Sequence, residues 1–246
     1  MRFGLCFFLL THACQAADPL VIMLRNSPEV VRVQQPVQAI PSIIHIRDWH
    51  WVPYGYVAAE LPDDAPDSVI MQAHLQHLDQ VREVQNEQYH LLRRPFLKEI
   101  QTLFREGLTP DVQPAFRTAS RALWKHHNAL PDANQLHRHP NVLSLGVPGR
   151  LVAKHNLKDV RAADTDSTLA LTNPVLEDGR LRIVPRQAIE TREDHMVRQI
   201  HQTGRTCIII LGGAHDLTDN VRRICRGKLG LIVVTTTAYQ RHATGR

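Results

Sequence analysis

Cysteine is scarce in this chain: four in 246 residues, two of them (Cys6 and Cys14) near the amino terminus, and none at zinc-finger spacing. A cysteine-held structural zinc module is thereby excluded. Gly-x-Ser-x-Gly is absent, and so is a glycine-rich phosphate loop. Their absence excludes the serine nucleophile elbow and the nucleoside-triphosphate loop. The formal net charge is +5, but the basic residues are scattered and none of their groups is interleaved with aromatics. Nucleic acid is therefore not an expected partner. Past the first residues no stretch is apolar enough to cross a bilayer, so the mature chain should lack a transmembrane segment. Fixed-period repeats and low-complexity tracts are missing too.

What is present is an ordinary globular composition, 43% hydrophobic and 22% charged, in a length that suits one large α/β domain or two small ones. The amino terminus reads as a signal peptide. Arg2 is its positive end, Phe3 to Leu10 is apolar apart from Gly4, and Cys14-Gln15-Ala16 or Gln15-Ala16-Ala17 supplies the small-x-small cleavage site. Residues 1–17 are read as the leader and 18–246 as the domain. The expected location is periplasmic or extracellular. A lipoprotein anchor at Cys14 is the less favoured alternative, because Thr11 and His12 fit a lipobox poorly. Cleavage leaves Cys207 and Cys225, read as buried free thiols in preference to a disulfide.

Along the chain, Leu20 to Arg25 reads as a short strand, and Ser42 to Ile46 as a strand running into Arg47-Asp48-Trp49-His50-Trp51. A helix is expected from Val69 to Arg94, capped by Asp67 or Ser68 and ended by Pro95. Ile100 to Gly107 fits a helix or a strand ending at the carboxylate of Glu106. Helices are expected over Gln113–His127, Leu151–Ala163 and Pro185–Gln202, and strands over Asn141–Leu145, Thr206–Leu211 and Leu229–Thr237. Leu176 to Ile183 contains a turn at Glu177-Asp178-Gly179. The fold class expected is α/β: a single domain with a largely parallel central sheet flanked by helices, its two strand–histidine units hinting at duplicated halves.

The densest information lies in Ile208-Ile209-Ile210-Leu211-Gly212-Gly213-Ala214-His215, where a β-branched run stops at two glycines and delivers a histidine. Such a run is a buried parallel strand, and ligands of open α/β sheets bind beyond strand carboxyl ends. Gly212 and Gly213 would let backbone approach a ligand there. His50 follows a strand in the same way, so the two histidines are expected to share a site. Arg192 falls angularly close to Ile189, Met196 and Ile200 on its helix. A guanidinium at the edge of a buried face needs an acceptor or a bound anion; the competing reading is a surface arginine with its stem packed on the core.

The run Glu190-Thr191-Arg192-Glu193-Asp194-His195-Met196-Val197-Arg198-Gln199-Ile200, then Cys207 to Leu211, then Gly212-Gly213-Ala214-His215-Asp216-Leu217, resembles the carboxyl-terminal signature of the Tiki/TraB/GumN/ChaN/erythromycin-esterase superfamily. That signature is an arginine-bearing helix, an apolar strand and a Gly-x-x-His tip. The likeness extends over Glu190 to Tyr239 and around Ile43 to Pro53, and contributes little between Pro110 and Pro185. The superfamily also carries an amino-terminal Gly-x-x-His and a glutamate ending the next strand. His50 fits the first histidine, although Arg47 stands at the glycine position, and Glu106 fits the glutamate. The resemblance favours the strand reading before Glu106.

Two chemistries are open to His50, Glu106, His215 and Arg192. His50, Glu106 and His215 suit a divalent metal (manganese, cobalt or zinc) with open positions for water, which would assist hydrolysis of an amide or ester. Without metal, a histidine would be the general base, with Glu106 orienting it or acting as an acid. Arg192 would hold a substrate carboxylate or an oxyanion. Asp48 and Asp216 would fix the histidine tautomers. The substrate would be a small molecule or a peptide. The alternative function is a haem- or iron-binding protein of the ChaN kind, with Trp49 and Trp51 lining a flat apolar slot; their other reading is simple packing at a strand end. His74 and His77 stand three apart on a helix, but Gln72, Gln76 and Gln80 mark that face as solvated.

Overall fold

The structure, a computed structural model, describes residues 18–34, 41–98, 100, 102–127, 140–155, 157, 159–174 and 181–244. The expected leader and the turn at Glu177-Asp178-Gly179 lie outside the described residues. Within them the chain is α/β, with one six-stranded sheet. Two strands occupy its middle: β2 (Ser42–Asp48), whose first five residues are buried, and β5 (Cys207–Gly212), buried throughout. Such continuous apolar runs form strands covered on both faces. β6 (Gly230–Thr236) pairs parallel to β2 on one side, and β3 (Thr102–Arg105) pairs parallel to β5 on the other. β1 (Val30–Gln34) closes one edge antiparallel to β6, and β4 (Asp159–Ala162) closes the other parallel to β3. The strand order is β1-β6-β2-β5-β3-β4.

Period-2 alternation sorts the strand side chains between two cores. Ile44, Ile46, Ile208, Ile210, Ile232 and Val234 pack with Leu91 and Leu92 of α3 (Asp67–Leu92) and with Val147 and Leu151 of α6 (Pro140–His155). Ile43, Ile209, Leu211, Leu231 and Val233 pack on the opposite face. There they meet Met196, Val197 and Ile200 of α8 (Arg186–His201) and Val221 and Cys225 of α9 (Thr218–Cys225). The other helices are α1 (Pro19–Arg25), α2 (Tyr54–Ala59), α4 (Pro95–Lys98), α5 (Gln113–His127), α7 (Asp166–Thr172) and α10 (Thr237–Thr244). No helix of the described residues is long and apolar enough to cross a membrane.

Three local expectations are corrected. Leu20 to Arg25 is helical, not a strand: the Asp18 side chain accepts the Leu20 N–H at 2.9 Å and Pro19 opens the first turn. Asn141 to Leu145 belongs to α6, which breaks at Gly146, where φ is +62°. The helix expected over Leu151–Ala163 ends at His155, and Asp159–Ala162 is strand. Ile100 to Gly107 resolves as the strand reading, with β3 ending one residue before Glu106. Cys207 and Cys225 are free and buried.

Candidate functional site

The parallel register sets the carboxyl ends of three strands side by side. Asp48 pairs with Gly212, and Arg105 with Ile210. Glu106, the next residue, donates its N–H to the Ile210 carbonyl at 3.4 Å, so its side chain leaves the sheet beside the glycine tip.

Four donors surround the Glu106 carboxylate. Oε2 accepts the Gly212 N–H at 2.8 Å and lies 2.9 Å from His50 Nε2. Oε1 lies 3.0 Å from Arg192 Nη2 and 3.4 Å from His215 Nε2. Sequence reading thus named four residues that the fold brings to one carboxylate. Burial alone would raise the Glu106 pKa, but His50 and His215 hold it well below the usual range. Burial likewise opposes the imidazolium forms, yet the carboxylates win. Glu106 and Asp48 push His50 up to about 9, and Glu106 with Glu193 push His215 up to about 9.

Each ring is backed at its far nitrogen. His215 Nδ1 lies 2.8 Å from Glu193 Oε1. His50 Nδ1 lies 3.7 Å from Asp48 Oδ2, and Gln88 Nε2 donates to Asp48 Oδ1 at 2.9 Å. Burial raises the Asp48 pKa against these partners. Asp48 therefore stands where it was expected. Asp216 does not: its Oδ1 accepts the N–H and hydroxyl of Thr218 at 3.0 and 2.5 Å, which ties it to the first residue of α9, and Glu193 takes the role assigned to it.

Arg192 is buried, which overturns the reading of a surface arginine. Its Nε and Nη2 donate to the two oxygens of Asp164 at 2.6 and 2.8 Å. Asp164 Oδ2 also accepts the Gly107 N–H at 2.7 Å. The guanidinium thus finds its acceptors within the protein, in Asp164 and Glu106, rather than in a bound anion. A cavity of about 390 Å³ lined by Leu169, Thr172, Asn173 and Pro174 opens beside it.

Gly212 and Gly213 do allow close approach, but of side chains. A Cβ on Gly212 would overlap the His50 imidazole, and one on Gly213 would overlap the Tyr239 hydroxyl. Trp49 meets Tyr239 edge-on, ring centroids 5.9 Å apart. Trp51 packs with Leu78, Val81 and Leu143. Both indoles sit in packing contacts between α3 and its neighbours. His74 is buried, edge-on to Tyr54, so its face is not the solvated one expected.

Sequence reading missed Glu193, Asp164, Gln88 and Arg105. Glu193 adjoins Arg192 on α8 and was passed over for it. Asp164 follows β4, which was read as helix. Arg105 donates to the Ser144 carbonyl at 2.5 Å and carries its charge near Asp48 and Glu106. Among the described residues, no three or more of His, Cys, Asp and Glu are already spaced to hold a metal ion. No family model, curated protein or solved structure matches the chain.

Proposed function

We propose that this chain is an exported hydrolase that cleaves an amide or ester bond of a small molecule or peptide at the Glu106 cluster. One observation carries the reading. Two imidazoles from strands far apart in sequence but paired in the sheet turn their Nε2 atoms to one buried carboxylate, 2.9 and 3.4 Å away, while a second carboxylate stands at Nδ1 of each. Purely structural histidines have no need of such paired backing; rings that must keep one tautomer and one orientation do. The resemblance of Glu190 to Tyr239 to the Tiki-like superfamily supports the same class.

The donor set suits a divalent metal in kind. Two imidazole nitrogens and a carboxylate are ligands of manganese, cobalt and zinc, and ligating histidines are regularly backed by carboxylates. His50 Nε2, His215 Nε2 and Glu106 would hold the ion, in place of the protons they now share. When bound, it would supply an acidified water and a Lewis acid for the scissile carbonyl. The chain's own residues do the remaining work. Glu193 and Asp48 fix the rings. The Gly212 N–H and Arg192 hold Glu106 ionised and in place, which makes Arg192 a positioning residue. His50 is the most exposed of the four and meets the substrate first; with no ion on its Nε2 it can instead give a proton to the leaving group.

The test is elemental analysis of the purified mature protein together with hydrolysis of an amide and ester panel, in wild type, Glu106→Gln and His215→Ala. The expected result is near-stoichiometric metal, lost in both folded variants, with hydrolysis down about a hundredfold or more. Full activity in folded His215→Ala would overturn the site. Hydrolysis by a wild type that takes up no manganese, cobalt or zinc would overturn the metal and leave acid–base chemistry.

A further inference from the structure

Arg47 carries a charge at the site's rim that no acceptor among the described residues meets. It is the last residue but one of β2. Ile44 and Ile46 face α3, so alternation turns His45 and Arg47 to the opposite face, where α8 and α9 pack. That face also receives the turn carrying His215. The charge of Arg47 is felt by His45, which also feels His215, and by Asp216, the residue after His215.

The Arg47 carbonyl accepts a hydrogen bond from Gln88 Nε2 at 3.0 Å, but its guanidinium makes no hydrogen bond or ion pair among the described residues, and its Nε is sealed from water without a partner. Asp216, the carboxylate it acts on, is bonded to Thr218. Two other arginines near the site are satisfied: Arg105, at the end of β3, by the Ser144 carbonyl, and Arg192, on α8, by Asp164 and Glu106. A guanidinium has five donors and keeps its charge at any physiological pH. Burying part of one without an acceptor is costly, and the usual remedy is a carboxylate or a bound anion. Among the described residues no carboxylate forms an ion pair with Arg47, and Asp216, whose charge it feels, is held by Thr218.

We propose that Arg47 binds an oxyanion of the substrate, a carboxylate or a phosphate group, beside the bond that is cleaved, and so determines which substrates the site accepts. This rests on the hydrolase reading for the word substrate, though not for the anion itself. Arginine presents a planar fork that matches either oxyanion with two parallel hydrogen bonds. Arg192 cannot serve this purpose, because Asp164 and Glu106 already hold it. The preferred substrate is then an amide or ester bearing a negative group next to the scissile carbonyl, such as an acylated amino acid with a free carboxylate.

The test uses binding and turnover in parallel, on wild type, Arg47→Gln and Arg47→Lys. Succinate and inorganic phosphate are titrated calorimetrically, with succinamide as the neutral control. Hydrolysis is measured on an N-acyl amino acid and on its carboxamide-capped counterpart. At least one anion should bind wild type, with affinity about tenfold weaker in Arg47→Gln and a smaller loss in Arg47→Lys, which keeps the charge and controls for folding. For the free carboxylate substrate, KM should rise about tenfold in Arg47→Gln with kcat little changed, and the capped substrate should be unaffected. Succinate binding without phosphate assigns a carboxylate, and the converse a phosphate. Wild type binding neither anion, or Arg47→Gln binding both as wild type does, overturns the proposal. Anion binding lost in Arg47→Gln, with no hydrolysis of either substrate by wild type, overturns the hydrolase reading and leaves the oxyanion site. Hydrolysis of both substrates unchanged in Arg47→Gln overturns the oxyanion site and leaves the hydrolase.

Discussion

An absent methyl group at Gly212 makes room for the contact between His50 and Glu106. Gly212 is not among the residues whose φ is positive, so its backbone does not require glycine. What requires glycine is room, because a Cβ would overlap the His50 imidazole. The same close approach lets the Gly212 N–H reach Glu106 at 2.8 Å while His50 reaches it at 2.9 Å. Alanine at this position should push His50 off the carboxylate. The half-exposed ring has somewhere to go, so the cost to stability should be modest, about 1–2 kcal/mol. The loss of hydrolysis should be far larger, about a hundredfold or more, because Glu106 and His50 would no longer share a proton. Thermal unfolding and turnover of Gly212→Ala, measured together, check this. A variant with near-normal turnover would show that the His50–Glu106 contact is dispensable.

At the scale of elements, legibility followed burial. β2, β5 and β6 were read closely because their apolar runs have no competing explanation, and α8 because Met196, Val197 and Ile200 fall on one side. β4 was lost because it is an edge strand with one buried residue in four, Val160, which leaves no period to read. Losing β4 hid Asp164, whose partner Arg192 is 28 residues away in sequence. The four residues on Glu106 were legible as strand-end or helix-face positions. Of the backing carboxylates, Asp48 was legible too, as the end of β2; Glu193 and Asp164 were not, because their roles depend on which elements are neighbours. β5 lies between β2 and β3, and no local pattern states that order. α1 is an instructive miss. Its apolar run looked like strand, and the deciding signal was the Asp18-Pro19 pair, a cap followed by a first-turn proline. Asp18→Ala should cost α1 about 1 kcal/mol, read as faster amide exchange across Pro19–Arg25, with hydrolysis untouched. Unchanged exchange would mean that the packing of Val21 and Leu24, not the cap, holds this helix.

Across the whole molecule, the site depends on a core that contains one histidine in place of a hydrocarbon. His45 is fully buried in the middle of β2, and its Nε2 lies 3.2 Å from the Leu211 carbonyl. Leu211 immediately precedes Gly212, so this bond ties the central strand to the tip that carries the site. A carbonyl accepts, so Nε2 bears the proton and Nδ1 is left bare within the core. Burial pushes the pKa of His45 down from 6.5 to about 4; the Leu211 carbonyl and Glu106 oppose the shift, and Arg47 and His215 reinforce it. Between about pH 6.5 and 4 the unfolded chain binds a proton at this position that the folded chain refuses, so the folded state loses ground as pH falls through that window. The full effect is about 3 kcal/mol, a large share of the 5–15 kcal/mol typical of a domain. Wild type should therefore weaken steeply below about pH 6.5. His45→Gln, which has no proton to take up, should show a shallower decline, whatever its stability at neutral pH. Denaturant unfolding of both proteins at several pH values between 7 and 4 measures the two slopes. Parallel slopes would mean that the carboxylates around the sheet edge, rather than this buried imidazole, govern how the molecule responds to acid.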